Sequence, residues 1–358
     1  GALMSRVPAK FEKVANRLNQ AAASQITPCA ALEVGHASGT HWEYACGRLT
    51  YEKDARPATP DTAFDLASLT KVISTTTVLM GLVDAGTIQL NDRLQQWLPS
   101  WRGRDKSAVT ITDLLEHASG LTSHLPFHRD HRGRAEFEHT ICSLPLEYPP
   151  RSRSIYSDLG FILLAFIAAD ASRGVAIDQQ FASIADGLTL GDLRFRPPDA
   201  WRPRTAPTEV DPWRGRLLCG EVHDENGWAL GGVAGHTGLF GTVRSVGRFA
   251  QAVLRTFSGE PKIAQPATLA RFVEPSSVPG SSRALGWDRM LVTSSCGHQL
   301  SESAIGHTGF TGTSLWIDPQ QNVYVVLLTN RVHPTRHNEA ILQLRPDIHD
   351  AVVQALTP

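Results

Sequence analysis

The 358-residue chain is poor in cysteine, in lysine and in long apolar runs, and each shortage excludes something. Its five cysteines (Cys29, Cys46, Cys142, Cys219 and Cys296) are odd in number and scattered, with no C-x-x-C, so neither a disulfide framework nor a zinc knuckle is expected. Free thiols in a reducing compartment fit that pattern. The N-terminus lacks the basic-apolar-small order of a secretory leader. Gly1-Ala2-Leu3 reads as a vector remnant ahead of Met4, so a cytoplasmic location is expected, or a periplasmic one if a leader has been removed. The longest apolar stretch, around Phe161 to Ala169, falls short of the ~18–20 residues of a membrane span. Charge of one sign is also missing: 34 basic residues face 35 acidic ones, a net of −1, which gives no general affinity for nucleic acid or an anionic membrane. No long repeat or low-complexity tract occurs. No G-x-S-x-G is present, which sets aside the ordinary α/β-hydrolase. Only 6 of the 34 cations are lysine, so a lysine inside a motif carries weight.

What remains is ample for a core: 42% of residues are apolar and 19% charged. The length exceeds a typical domain of ~100–200 residues, allowing two lobes around one cleft. Val7, Phe11, Val14, Leu18 and Ala22 recur at helical spacing, which predicts a helix over 7–24. Ala30 to His36 and Trp42 to Leu49 read as a hairpin. Helices are expected over Ser68–Ala85, Thr112–His117 (capped by Thr110 or Thr112), Asp158–Ala171 and Ser245–Thr256. The middle of the chain therefore reads as helix and loop. Strands return at Ala304–Thr308, Ser314–Asp318 and Val323–Thr329, before a last helix starting near Pro346. The two strand groups join most simply into one antiparallel sheet, giving an α+β fold with terminal helices on the sheet, a helical lobe and a cleft between them. The expected division is a single catalytic domain over 4–358, with one lobe from 4–64 and 260–358 and a helical lobe over 65–259.

Ser68-Leu69-Thr70-Lys71 is the one S-x-x-K in the chain. At a helix start, positions i and i+3 share a face, so the amine can lie beside the hydroxyl. A serine hydroxyl needs a neighbour that takes its proton before it attacks, and a desolvated lysine is able to do so. Tyr156-Ser157-Asp158, 88 positions later, opens a helix and offers a second acid/base and a hydrogen-bonding side chain. His307-Thr308-Gly309, 239 positions after the serine, lies on an expected strand, where a glycine lets a substrate carbonyl come close. The next amide, at Phe310, would pair with that of Ser68 as an oxyanion hole.

These three motifs, in this order, resemble the S-x-x-K, Y-x-N and K/H-T-G set of the serine β-lactamase and penicillin-binding-protein superfamily, in its class C-like branch. That branch includes D-Ala-D-Ala carboxypeptidases, class C β-lactamases, D-aminopeptidases and family VIII esterases. Thr110 to Leu121 looks like the LLxHxSGL segment of that group, and Leu285-Gly286-Trp287 and Val323–Asn330 also look familial. The resemblance spans roughly residues 30–335. It implies a β-lactamase/transpeptidase-like fold, Ser68 as the acylated nucleophile, Lys71 and Tyr156 as the proton-transfer pair, and Asp158, His307, Thr308 and Gly309 as substrate-binding. Asp158 departs from the usual Asn: an ionised carboxylate accepts but cannot donate, and it favours a protonated Lys71 if the two are close. His307 departs from Lys, and an imidazole anchors a carboxylate less firmly than an ammonium. Both departures place a peptidase or esterase ahead of a β-lactamase, with a penicillin-binding sensor or scaffold that acylates without turnover as the non-enzyme alternative.

Gly220 to Asn226 and Gly231 to Gly241 resemble a VHDEN…GGVAGHxGLF signature of a penicillin-binding-protein-4B-like subgroup. His223, Asp224 and His236 would line the cleft or hold a metal, or else form a hydrogen-bonded loop, which is favoured. Gly235 to Gly238 echoes the third motif but is set aside because a helix is expected to follow it. His124, His128 and His131 read as a solvated loop rather than a zinc site, and Pro149-Pro150-Arg151 as a solvated loop too. The expected partners are a small-molecule or peptide substrate, β-lactams among them, with no cofactor, metal, nucleic acid or membrane span. The oligomeric state is not legible.

Overall fold

The computed structural model describes residues 6–291 and 293–358. Gly1 to Met4, and with them the expected vector remnant and domain start, lie outside the described residues. In chain order, the elements that position the site are helix α1 (Glu12–Ala23), strands β1 (Cys29–His36), β2 (Gly39–Gly47) and β3 (Phe64–Asp65), and helices α2 (Thr77–Asp84), α3 (Ile111–Leu115) and α4 (Asp158–Ala171). There follow β4 (Leu193–Phe195), β5 (Leu239–Gly241), α5 (Val243–Phe257), β6 (Asp288–Arg289), β7 (Ile305–Gly309), β8 (Thr313–Asp318), β9 (Val323–Thr329) and α6 (Ile341–Leu356).

The principal sheet is antiparallel in the order β2-β1-β9-β8-β7-β6, so the two strand groups do join, with Leu32 opposite Leu327 at their seam. Both faces of the inner strands are covered, which is why β8 and β9 are buried at every position. Ala30, Leu32, Val34, Trp316, Val325 and Leu327 face one apolar cluster with Phe11, Val14 and Leu18 of α1 and Leu344, Ile348 and Val352 of α6. Alternate residues (Ala31, Leu315, Ile317, Val326 and Leu328) face a second cluster shared with α5 and the helical body. This is the period-2 alternation of a strand applied to both faces. Glu33 breaks the second face. Its carboxylate accepts from the Tyr324 hydroxyl at 2.9 Å and fits only because residue 247 on α5 is glycine, where a Cβ would fall 1.4 Å from Glu33 Oε2.

The helical body is built around α4, buried continuously from Leu159 to Ala168. No helix among the described residues is long and apolar enough to cross a membrane. Three differences from the sequence expectations have physical causes. The middle of the chain is not helix and loop alone: β3, β5 and β4 form a small antiparallel sheet. The helix after Ser68 begins as a π-helical segment, Lys71–Thr76. There the Thr76 and Thr77 hydroxyls bond back to the Lys71 and Val72 carbonyls, a five-residue reach that suits the wider turn. The last helix starts at Ile341, not near Pro346, because Ile341 and Leu344 belong to its buried face.

Candidate active site

The turn between β3 and the π-helical segment is held tightly. Ala67 takes a left-handed conformation (φ 49°), and the buried Asp65 carboxylate accepts from the Ala67 amide at 2.8 Å and from the His223 amide at 2.8 Å. Thr311 and Thr313 donate to the Asp65 and Leu66 carbonyls, lashing the turn to the β7–β8 hairpin. This aims Ser68 into a cleft with Lys71 one turn behind it. Lys71 Nζ lies 2.9 Å from Ser68 Oγ and 2.8 Å from Asp158 Oδ1, donates to Tyr156 Oη, and is 3.4 Å from the His236 carbonyl. Tyr156 Oη stands 2.9 Å from Ser68 Oγ. Three side chains separated by 88 positions of chain thus close a triangle.

Lys71 is fully buried. Burial alone would push its pKa down, but Asp158 and Tyr156 outweigh that and hold it above the ordinary lysine range. Burial likewise works against Asp158, yet Lys71, His124 and His236 carry its carboxyl well below the usual range. The pair is an ammonium–carboxylate pair, and three N–H donors have acceptors to match. Asp158 lines the cleft, and its Oδ1 is committed to Lys71, the contact that favours a protonated lysine.

His307 differs from its expected role. Its Nδ1 donates to the Thr308 carbonyl at 2.7 Å, while Nε2 is buried without a partner among the described residues. Burial, with the charges of Arg283 and Lys71, drives its pKa far below the ordinary histidine value. The ring is neutral, presents a lone pair, and cannot anchor a carboxylate. Gly309 is needed for a reason other than substrate approach: a Cβ there would fall 2.1 Å from Thr313 Oγ1 and 2.7 Å from the Leu66 carbonyl, where β7 abuts the Ser68 turn.

Two cavities open on Ser68. One, of about 380 Å³, is lined among others by Tyr156, His307, Thr308, Gly309 and Phe310, by three arginines, Arg283, Arg331 and Arg345, and by the carboxylates Asp288 and Glu339, with which none of the three arginines forms an ion pair among the described residues. Arg331 donates only to carbonyls (Phe310, Arg336, Asn338), as does Arg345 (Gly309, Thr313), whose buried Nε has no partner among the described residues. Arg283 lies 5.0 Å from the Tyr156 ring centre. Sequence reasoning missed all three, since an arginine in a chain with many arginines carries no local signal.

The other cavity, of about 320 Å³, is lined by His124, Asp158, His223, Asp224, Glu225, His236, Phe310 and Arg336 among others. His223, Asp224 and His236 therefore do reach the cleft, but as a braced loop. Asp224 caps a short helix through the Gly227 amide (2.7 Å) and lies 2.9 Å from His236 Nε2, and His223 Nε2 lies 3.1 Å from Glu209. The ligand-type atoms that converge are those of Asp158, Asp224 and His236, not His223. They do not fit a metal ion, because Lys71 Nζ already supplies the cation at Asp158. His236 follows from the echo motif, set aside for the wrong reason: strand β5, not a helix, comes directly after it. The histidine loop is not simply solvated either, as His124 lines the cleft 3.7 Å from Asp158 and His128 is buried. Arg151 does lie in a partly exposed loop, but it is also paired: it bridges Asp113, Glu116 and Ser277.

Comparison with known proteins agrees with this geometry. The β-lactamase family profile matches residues 14–348. A Salmonella gallinarum protein provisionally named a D-alanyl-D-alanine carboxypeptidase is 31% identical over 310 residues, covering 77% of this chain and 71% of its own length. The Salmonella typhimurium protein of the same name is 30% identical over 308 residues with the same coverage. Among solved structures, EstCE1, described as a hydrolase with promiscuous acyltransferase activity, gives a TM-score of 0.76 at 20% identity over 96% of this chain and 98% of its own. A penicillin-binding-protein homologue from Caulobacter crescentus gives 0.76 at 18% identity over 98% and 99%. At those identities the likeness of the structures is one of fold. Together these define a serine acyl hydrolase of the β-lactamase/transpeptidase fold. The chain belongs to the β-lactamase family.

Proposed function

We propose that the protein is a carboxypeptidase-type member of this family, cleaving the amide that joins a terminal residue with a free carboxylate to a short peptide. The carrying observation is the Ser68–Lys71–Tyr156 triangle beside a cavity holding three arginines with no carboxylate partner among the described residues. Ser68 Oγ attacks the carbonyl as its proton passes to the oxygen of Tyr156 acting as a phenolate, whose negative charge the Lys71 ammonium balances. The Ser68 and Phe310 amides, which donate to no backbone carbonyl among the described residues, hold the oxyanion. Tyr156 returns the proton to the leaving amine, and water then releases the acyl group. The guanidiniums take the carboxylate of the leaving residue, the task a neutral His307 cannot perform. The names of the Salmonella relatives support this choice of substrate.

A second reading, acylation without turnover, is favoured by Asp158, which is unable to donate a hydrogen bond to a substrate amide carbonyl. Intact-mass analysis after a fluorophosphonate and after penicillin, with Ser68→Ala as control, tests the nucleophile. A panel of a D-Ala-D-Ala-ended peptide, its C-terminal amide, a chromogenic ester and a cephalosporin tests the substrate. The peptidase reading expects a Ser68-dependent adduct and preference for the free acid over the amide. Equal rates on acid and amide would overturn it, and an adduct that never turns over would favour the second reading.

A further inference from the structure

Tyr156 has no helix or strand of its own to hold it. It sits in the extended segment just before α4, and its hydroxyl must meet both Ser68 and Lys71 to within a few tenths of an ångström. Its neighbours on either side are gripped by one residue. The Ile155 amide donates to the His117 carbonyl at 2.9 Å, and the Ser157 amide donates to His117 Nδ1 at 2.9 Å. In an extended segment the amides of residues i and i+2 point the same way, so His117 meets consecutive donors of one edge, first with its backbone and then with its ring. It manages this by adopting a left-handed conformation (φ 56°), which is uncommon outside glycine and persists only where the surroundings hold it. The Tyr148 hydroxyl adds a second donor to the same carbonyl at 3.2 Å.

The imidazole itself is packed between two aromatic rings. Its centre is 4.7 Å from that of Tyr156 and 5.1 Å from that of Phe161, one turn into α4. Because Nδ1 accepts, the proton of the neutral ring is on Nε2, which is buried without a partner among the described residues. An unpaired buried donor is destabilising, and a phenylalanine of the same shape would avoid that penalty. The ring is therefore retained for its accepting nitrogen, not for bulk.

We propose that His117 is a positioning residue for Tyr156: carbonyl and Nδ1 clasp the amides on either side of it, and the ring sets the plane of the phenol, so that Tyr156 Oη is delivered to Ser68 and Lys71. The proposal rests on the proton-transfer role given to Tyr156 above. It assigns a task to the histidine of the LLxHxSGL segment, at the point where that segment and the Tyr156 motif run side by side.

The test compares His117→Asn, His117→Phe, Tyr156→Phe and the double variant His117→Phe/Tyr156→Phe. Each is measured for thermal midpoint, for the rate of Ser68 labelling by a fluorophosphonate, and for kcat and KM on a chromogenic ester. Asn keeps an acceptor near the place of Nδ1 and tolerates positive φ; Phe keeps the ring and loses the acceptor. Since displacement of a reacting group by about 1 Å can cost 10²-fold, H117F is expected to lower kcat and labelling by roughly tenfold or more at unchanged KM, with H117N within about threefold of the parent. In the Y156F background H117F should cost nothing further, because there is no longer a hydroxyl to place. Parent-like H117F alongside an impaired Y156F overturns the clasp. So does an equal loss from H117F in both backgrounds, which marks a merely structural effect. A parent-like Y156F rate overturns the role of Tyr156, and the clasp with it. If H117F fails to fold, His117→Gln, which carries its acceptor one bond too far, takes its place with the same expectations.

Discussion

At the scale of the residue, Asp158 governs the charge of the site. Burial would lower the pKa of Lys71, and Asp158 is the largest of the influences that raise it. Lys71 is therefore an ammonium at neutral pH, and on the mechanism proposed above proton transfer from Ser68 falls to Tyr156. Replacing Asp158 by Asn removes the negative charge 2.8 Å from Nζ, and the lysine pKa must fall. If the ammonium is the working form, the alkaline limb of the Ser68 acylation rate moves to lower pH in Asp158→Asn, read by fluorophosphonate labelling between pH 6 and pH 10 (an assay window on the order of the lysine range). An acidic limb that moves instead would mean that the neutral amine is the base.

At the scale of the element, two glycines and one carboxylate show how strands and helices are fitted. Gly309 ends β7 against the Ser68 turn, where a Cβ meets Thr313 Oγ1 at 2.1 Å and backbone at 2.7 Å. Gly309→Ala is expected to cost ~1–3 kcal/mol in urea unfolding and to slow labelling of Ser68, since β7 and the turn must part. Glu33, on β1 against Gly247 of α5, has its carboxyl pushed up to about 7 by burial, against the hydrogen bond from Tyr324. Its folded pKa exceeds its unfolded value. Its contribution is thus fully present below the unfolded pKa and is lost as pH rises through about 7. Glu33→Gln should remove a pH-dependent loss of stability on the order of 3 kcal/mol between mildly acidic and mildly alkaline solution, measured as urea midpoints at the two extremes. A parent and variant with parallel pH profiles would show that Glu33 titrates normally.

At the scale of the molecule, the cleft collects cations from three distant segments: Arg283 before β6, Arg331 after β9 and Arg345 inside α6. Unpaired buried guanidiniums are costly, and an anionic substrate relieves the cost. Arg345 and Arg331 also hold the β7–β8 hairpin through its carbonyls, so Arg283 is the cleaner probe. Arg283→Gln is expected to raise KM for a peptide with a free C-terminal carboxylate by about tenfold, the loss of one charge-assisted contact, while leaving a neutral ester within about twofold. An equal loss on both substrates would assign Arg283 to the fold or to Tyr156 rather than to the carboxylate.

Much was legible in the chain because it is local. The helix expected over about Asp158–Ala171 is found there, because its cap and its apolar run lie close together in the chain. The β1–β2 and β8–β9 hairpins follow from short apolar, β-rich runs and the turns between them. Ser68 and Lys71 share a helical face by spacing alone, and the motif order pointed to Tyr156. What spacing does not encode is which partner a charged group meets. Asp158 could face substrate or Lys71, His307 could be cation or lone pair, Arg283, Arg331 and Arg345 bear no mark in sequence, and His117 is marked by its segment but not by its task. Those outcomes depend on burial and on distances between segments as far apart as Ser68 and Arg345, which line one cavity across 277 positions of chain, and a Coulomb interaction or a hydrogen bond is set by ångströms in space, not by position along the chain.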